Sequence, residues 1–239
     1  MNEMTLAIIG TAGRDKTYPM SRSLWDWMVR DATDRVVFEN HLVSGGAAWA
    51  DHLAVALYIS GEVDNLTLHL PAPFDGTKFV GPDKSAASAA NYYHRLFSRE
   101  LGINTLNEIA MALEGGADVT YEPALHGYSG MFARNAKVAR SAEMLAYTFG
   151  TGDVPTDGGT KDTWDKCRGK RTHVTLEMDL EIARKATHAP ASDARPNPVE
   201  YEQYAHYVNA CRAHARATRQ RVVSYANPEQ FRAAHGAHV

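Results

Sequence analysis

The chain has 239 residues, 44% of them hydrophobic, and a formal net charge of -3 at pH 7. This length and apolar content suit one large domain, or one domain with an appendage. The slightly acidic balance disfavours nucleic acid as a partner, since general nucleic-acid-binding surfaces are strongly basic.

The first third of the chain alternates short apolar runs with helical patterns. The predicted elements are strands over residues 4–9, 41–44 and 66–70, and helices over residues 21–32 and 48–60. The first apolar run is continuous, as expected for a strand buried on both faces, and Gly61 has the position of a helix C-cap. Strands separated by helices in this order predict right-handed crossovers and a doubly wound parallel sheet.

The same alternation continues to about residue 177. Further helices are predicted over residues 83–99, 104–113, 131–140 and 160–168, and further strands over residues 142–149 and 172–176. Residues 119–121 fit either a short strand or a loop. The last strand alternates polar and apolar residues, which is typical of an edge. The predicted fold class is therefore α/β, a Rossmann-like doubly wound parallel sheet.

The composition changes after residue 177. Residues 189–198 contain three prolines, as a linker does, and residues 200–219 carry a helical apolar stripe. We assign residues 1–177 to a Rossmann-like domain and residues 178–239 to a C-terminal helical extension. The extension would pack on the sheet or mediate self-association, and we expect a homo-oligomer.

Cysteine usage and the N-terminus indicate a cytoplasmic protein. The two cysteines, Cys167 and Cys211, are far apart and form no CxxC, so neither a disulfide framework nor a zinc site is predicted. The N-terminus lacks the basic region of a signal peptide, and no apolar run approaches the roughly 20 residues of a membrane span. We expect no membrane partner, no metal and no cofactor.

Three glycine turns follow predicted strands. Their glycines are Gly10 and Gly13, Gly45 and Gly46, and Gly158 and Gly159. Glycine lets a ligand approach the main chain closely, and the unpaired amides at a following helix start favour anions. Because ligands bind beyond the carboxyl ends of parallel strands, we expect the three turns to share one edge of the sheet.

Four motifs in order resemble the SLOG superfamily, the Rossmann-like group that includes LOG phosphoribohydrolases, DprA-type proteins and the YspA/YpsA-like branch. They are residues 8–15 (IIGTAGRD), 43–54 (VSGGAAWADHLA), 131–139 (MFARNAKVA) and 158–163 (GGTKDT). The resemblance covers roughly residues 4–177. Trp49 stands where the family usually has glycine.

The resemblance and the three turns imply a site for a nucleotide or a nucleotide derivative. The predicted ligand-binding residues are Gly10, Thr11, Gly13, Arg14, Ser44, Gly45, Gly46, Trp49, Arg134, Asn135, Gly158, Gly159 and Thr160. Phosphate would lie on the second or the third turn. Arg14, Arg134 and Lys161 would converge on it, since arginine suits bidentate phosphate contact. Trp49 is the aromatic residue that we expect to hold the base.

LOG-type enzymes cleave an N-glycosidic bond, so the resemblance implies a hydrolase or glycosyl transferase. Such chemistry needs a carboxylate that stabilises an oxocarbenium-like centre or orients water. The candidates are Asp51, in the first turn of the second helix, and Asp162 or Asp165, near the position of the family's glutamate, which is absent here. Asp15 and Asp75, on loops, are weaker options. We rank Asp51 above Asp162.

Several other interpretations stay open at this stage. The glycine turns could serve tight strand-to-helix geometry alone, Arg134 could be a surface charge, and Asp51 could complement a helix dipole. The protein could also be a non-catalytic sensor or a sequestering protein for a nucleotide-derived ligand. A DprA-like role on single-stranded DNA is a third possibility, which the acidic balance disfavours.

Overall fold

The computed structural model describes residues 5–14, 19–36, 40–123, 127–149, 152–156 and 158–176, and the extension assigned to residues 178–239 lies outside them. The strands are β1 (Leu6–Gly10), β2 (His41–Ser44), β3 (Asn65–Leu70), β4 (Asp118–Tyr121), β5 (Glu143–Thr148) and β6 (Lys170–Thr175). The helices are α1 (Arg22–Arg35), α2 (Leu53–Ser60), α3 (Ala86–Leu101), α4 (Thr105–Glu114), α5 (Ser129–Val138) and α6 (Gly158–Lys166), with a short 3-10 helix at Trp49–His52.

The six strands form one parallel sheet in the order β4-β3-β2-β1-β5-β6. Strand β1 is buried on both faces, as its continuous apolar run predicts. Leu6 and Ile8 join a large core with α1 to α4, whereas Ala7 and Ile9 join a smaller core with α5 and α6. Helices thus cover both faces, and the α/β fold class predicted from the sequence is confirmed.

Local sequence signals explain most element boundaries. The Ser21 side chain accepts a hydrogen bond from the Leu24 amide and starts α1, and Ser85 and Ser88 form a capping box at α3. Gly61 ends α2 in the left-handed conformation, as predicted. Strand β6 lies at an edge, as predicted, and the ambiguous residues 119–121 belong to the other edge strand, β4.

One predicted helix differs in detail. Residues 48–60 were expected to form a single helix, but they begin as the 3-10 helix and become α-helical only at Leu53. Trp49 opens this segment with a φ of +64°. A φ of this sign lies outside the right-handed helical region, so Trp49 can only be the residue at which the helical segment begins.

The strand order reverses between β1 and β5. From β1 the chain moves outward through β2, β3 and β4 and then returns to the other side of β1 with β5 and β6. In open α/β sheets this switch leaves a crevice beyond the carboxyl ends of the two strands, where ligands bind. Gly10 and Tyr147, which pair across β1 and β5, mark its floor.

Candidate ligand-binding site

A cavity of about 560 Å³ lies at this strand-order switch. Its walls include the ends of β1 and β5 together with residues of α3, α5 and α6. Gly10, Gly45 and Gly158, one from each predicted glycine turn, all line it. The fold therefore brings together three turns that lie 35 and 113 residues apart along the chain.

Ten of the fifteen residues predicted for the site line the cavity. They are Gly10, Thr11, Arg14, Gly45, Asp51, Arg134, Asn135, Gly158, Gly159 and Thr160. The other five, Gly13, Ser44, Gly46, Trp49 and Asp162, lie in or beside the turns but are not part of the cavity wall. They contribute to the frame of the site, as described below.

Asp51 is the buried acid of the cavity, with 6% of its surface exposed. Its Oδ1 accepts a hydrogen bond from the Gly10 amide at 3.2 Å, and its carboxylate also accepts from the Ala47 amide. Its Oδ2 lies 3.4 Å from Arg134 Nη1. Burial raises the pKa of Asp51, and Arg134 and the two amides oppose that rise only in part.

Arg134 comes from α5 and crosses to the second turn. Its Nη1 donates to the Gly45 carbonyl as well as to Asp51. A side chain at position 45 would collide with the guanidinium, so glycine is required there for this approach. Burial lowers the pKa of Arg134, and Asp51 opposes that effect. The buried Arg134 Nε has no hydrogen-bond partner among the described residues.

Gly10 links the first turn to the third. Its φ is +156°, and a Cβ there would collide with the Tyr147 carbonyl and with Ala50. Its own carbonyl accepts a hydrogen bond from Thr160 Oγ1 at 2.8 Å. The N-terminus of α6 is therefore tied directly to the end of β1, beside the cavity.

The second turn uses its own amides internally. The Gly46 amide donates to Ser44 Oγ at 3.1 Å, and the Ala47 amide donates to Asp51. Ser44 Oγ in turn donates to the Asp51 carbonyl at 2.7 Å. The third turn differs, because Gly158, Gly159 and Thr160 begin α6 and first-turn amides have no acceptor within a helix. Of the two turns considered for phosphate, the third is better suited to an anion.

Three aromatic side chains line the cavity, and sequence reasoning did not place them there. They are Tyr93, Tyr128 and Phe132, which we call the aromatic wall; Tyr128 and Phe132 are 53% and 55% exposed. Arg14 stacks on Tyr93, with its guanidinium carbon 4.8 Å from the ring centroid. The missed signal was the position of Tyr128 and Phe132, just before α5 and in its first turn, close in sequence to Arg134.

Trp49 lies in the core and not in the cavity, in contrast to its predicted contact with the base. It is 4% exposed, and its ring centroid is 4.3 Å from that of Phe97 and 6.4 Å from that of Trp25. The indole also fills the space that a side chain at Gly13 would need. Its left-handed φ turns the side chain away from the ligand edge while the backbone keeps a glycine-like conformation.

Asp162 and Lys161 lie on α6 outside the cavity wall. Asp162 accepts hydrogen bonds from Asn135 Nδ2 at 3.2 Å and from Lys166 Nζ at 2.7 Å. It therefore orients Asn135, whose amide also donates to the Gly159 carbonyl at 3.2 Å. Lys161 pairs with Asp165 on the exposed side of the helix and does not converge with Arg14 and Arg134.

Neither a metal-ion cluster nor a membrane-spanning helix is present among the described residues. They contain no group of three or more His, Cys, Asp or Glu side chains placed to hold a metal ion. No helix within the same residues combines the length and the apolarity needed to cross a bilayer.

The fold and the cavity define a doubly wound α/β protein with a crevice at its strand-order switch. A protein of Acanthamoeba polyphaga mimivirus, uncharacterized protein R261, is 33% identical to the chain over 195 residues. The match spans 75% of this chain and 100% of the viral protein. The chain belongs to the same family as this viral protein. No family model matches the chain.

Proposed function

We propose that the protein is a SLOG-type enzyme that binds a nucleotide, or a nucleotide derivative, and acts on its N-glycosidic bond. One observation carries the proposal: a buried carboxylate, Asp51, faces a cavity in which all three glycine turns meet. The order of the four motifs in the sequence supports the superfamily, and the volume of about 560 Å³ suits a nucleotide-sized ligand.

The electrostatics favour phosphate at the third turn. The α6 N-terminus supplies first-turn amides, which have no acceptor within the helix, and the positive end of the helix dipole. Arg14 and Arg134 line the same cavity, and the buried Nε of Arg134 is a donor that the described residues leave unsatisfied. The Asp51 carboxylate already accepts hydrogen bonds from amides of the first and second turns. A ligand phosphate would therefore bind away from Asp51, at the third turn.

The aromatic wall offers faces for the base. Aromatic side chains stack on every nucleobase, a contact worth about 1–3 kcal/mol per base. With phosphate at α6 and the base against Tyr93, Tyr128 or Phe132, the ribose would span the middle of the cavity, which Asp51 lines. In hydrolysis, water oxygen would bond to the anomeric carbon as the bond to the base nitrogen breaks, and the base would gain a proton. Asp51 would stabilise the oxocarbenium-like centre or orient the water.

Chromatography of reaction mixtures tests the activity. Wild-type protein is incubated with AMP, GMP, CMP, UMP and NAD, and free base is quantified. We expect base release from at least one of these compounds, and Asp51→Asn should reduce it at least about 100-fold while the substrate still binds. Asp26→Asn is the matched control, because Asp26 pairs with Arg22 on the exposed side of α1 and is not part of the cavity wall, and it should retain most of the turnover. Equal turnover in wild type and Asp51→Asn would remove Asp51 from this role.

A second candidate function is non-catalytic binding of a nucleotide-derived ligand. The observation that favours it is the full engagement of Asp51, which holds Gly10, Ala47 and Arg134 in place without any need for chemistry. Equilibrium binding of a nucleotide with no base released over long incubation would support this function and contradict the first.

A further inference from the structure

A buried histidine lies directly beneath the second glycine turn. His94, on α3, is fully buried, and its Nε2 is 3.1 Å from the Gly46 carbonyl oxygen. Its Nδ1 is 3.0 Å from Thr105 Oγ1, at the start of α4. None of the proposed chemistry uses this side chain, so its hydrogen bonds require a separate explanation.

The Gly46 carbonyl fixes the tautomer of His94. A carbonyl can only accept, so Nε2 carries the proton and donates to Gly46. Burial lowers the pKa of His94 to about 3, so the ring is neutral and Nδ1 is an acceptor. The Thr105 hydroxyl is the donor within its reach, 3.0 Å from Nδ1 and 3.3 Å from the His94 carbonyl oxygen.

The ring itself is held by its neighbours. The centroids of His52 and Phe79 lie 5.5 Å and 5.9 Å from that of His94. On the other side of the hydrogen bond, Gly46 has a φ of +65°, and a Cβ there would collide with Leu70. The turn is therefore held in a conformation that few residues adopt, with a rigid donor beneath its carbonyl.

We propose that His94 is a positioning residue that sets the Gly45–Gly46 turn from below and so aligns Arg134 and Asp51 at the cavity. The link is short: the carbonyl of Gly46 accepts from His94, and the preceding carbonyl, of Gly45, accepts from Arg134. If the turn rotated, the Gly45 carbonyl oxygen that accepts from Arg134 would move with it. The consequence for ligand binding rests on the proposed function, whereas the effect on the turn does not.

The first test is direct and uses wild-type protein. Long-range nitrogen–proton NMR spectra of the imidazoles should show His94 with a protonated Nε2 and an unprotonated Nδ1 from pH 5 to pH 8. The opposite tautomer, or a mixture of the two, would overturn the proposal without any variant being made.

The second test uses substitutions of matched size. In His94→Gln the side-chain nitrogen can still donate to Gly46, whereas His94→Met removes the donor. Hydrogen exchange at the Gly46 and Ala47 amides should become about tenfold faster in His94→Met and remain within about twofold of wild type in His94→Gln. His41→Met is the control, because His41 lies at the amino-terminal end of β2, where its Nε2 is hydrogen-bonded to Thr67 Oγ1. Equal exchange rates in all four proteins would contradict the proposal.

Ligand affinity provides the functional readout. With AMP as the probe, the Kd of His94→Met should rise about tenfold, and that of His94→Gln and His41→Met should stay near the wild-type value. If wild type does not bind AMP, the proposed function fails for this probe, yet the exchange rates still decide the positioning role. If His94→Met does not fold, the tautomer of His94 in wild type and the amide exchange rates in His94→Gln decide whether His94 positions the turn. A normal Kd in His94→Met with fast exchange would separate the turn from binding and overturn the link to the ligand.

Discussion

The carboxylate of Asp51 accepts a hydrogen bond from the backbone amide of Gly10 at 3.2 Å, and so joins the end of β1 to the segment after β2. The two residues are 41 positions apart in the chain. An acid in the first turn of a helix commonly interacts with amides of its own helix. The hydrogen bond to Gly10 shows that Asp51 also connects two separate turns, whichever function the cavity serves.

Removing this carboxylate should lower stability, and its replacement by an amide should lower it less. Asp51→Ala leaves the Gly10 and Ala47 amides without an acceptor and the buried Arg134 charge without its carboxylate, so we expect a loss of about 2–4 kcal/mol. Asp51→Asn keeps one acceptor oxygen and should lose about half as much. Urea unfolding at pH 7 measures both. Equal losses would show that the carbonyl oxygen of an amide cannot replace the carboxylate in these contacts.

Two cavity glycines should respond very differently to alanine. At Gly10 a Cβ would collide with the Tyr147 carbonyl and Ala50, so β1 and β5 must shift, and Gly10→Ala should cost about 2–4 kcal/mol. At Gly158 such a Cβ would have no neighbour within 4 Å among the described residues outside its own helix start, and only the φ of +67° opposes the change. Gly158→Ala should therefore cost about 1 kcal/mol. Urea unfolding measures both losses. A Gly158→Ala variant more destabilised than Gly10→Ala would contradict this prediction.

The sequence was sufficient for the sheet and for the residues at strand ends. Strand β2 was predicted with its observed bounds, and Gly10, Gly45 and Gly158 were predicted to share an edge, because topology alone brings the carboxyl ends of parallel strands together. Gly61 was predicted as a helix C-cap for a different reason, because such a capping signal depends on only a few neighbouring residues.

Side-chain directions were harder to predict. Trp49 adjoins a glycine turn in sequence, yet a positive φ directs its ring into the core. Lys161 follows the third turn but forms an i,i+4 pair with Asp165 on the outer side of α6. The aromatic wall is built from α3 and α5, which are distant in sequence, and only the fold brings Tyr93 near Tyr128 and Phe132. Such choices depend on backbone dihedrals and on packing between elements, which no local pattern records.

Arg14 should matter for phosphate and Lys161 should not. Arg14 lines the cavity with its guanidinium stacked on Tyr93. Lys161 lies outside the cavity wall, and its Nζ is 2.7 Å from Asp165 Oδ2. We expect Arg14→Ala to weaken AMP binding about tenfold, because a charge-assisted phosphate contact is lost, and to leave adenosine binding unchanged. Lys161→Ala, the matched removal of one positive charge, should leave both unchanged. Isothermal titration at two salt concentrations measures this, and parallel losses in both variants would indicate a general charge effect.

At position 49, a glycine variant should be more stable than an alanine variant. Truncating the buried indole removes its contacts with Phe97 and Trp25, so Trp49→Ala should lose about 3–5 kcal/mol. Because the φ of this residue is +64°, Trp49→Gly should be more stable than Trp49→Ala by about 1 kcal/mol, the reverse of the usual order within a helix. Denaturant unfolding of the two variants decides the sign. An alanine variant that is the more stable of the two would contradict this backbone conformation.

His94 should make the stability of the protein fall at acid pH. Its pKa is lowered by burial and by the neighbouring His52, from 6.5 in the unfolded chain to about 3 in the folded one. Between these values the unfolded state binds the proton and the folded state does not, so stability rises with pH and is lost as pH falls from 6.5 towards 3. The slope from this single group is at most about 1.4 kcal/mol per pH unit.

The difference in unfolding free energy between wild type and His94→Gln isolates this contribution. Asp51 has a raised pKa, so its own contribution to stability falls as pH rises, but it is present in both proteins and cancels in the difference. Wild type should therefore lose stability relative to His94→Gln when urea unfolding is measured from pH 6.5 down to pH 4.5. Above pH 7 the difference should be constant. Parallel curves over the whole range would mean that His94 titrates normally in the folded protein, and its assignment as a neutral donor to Gly46 would be wrong.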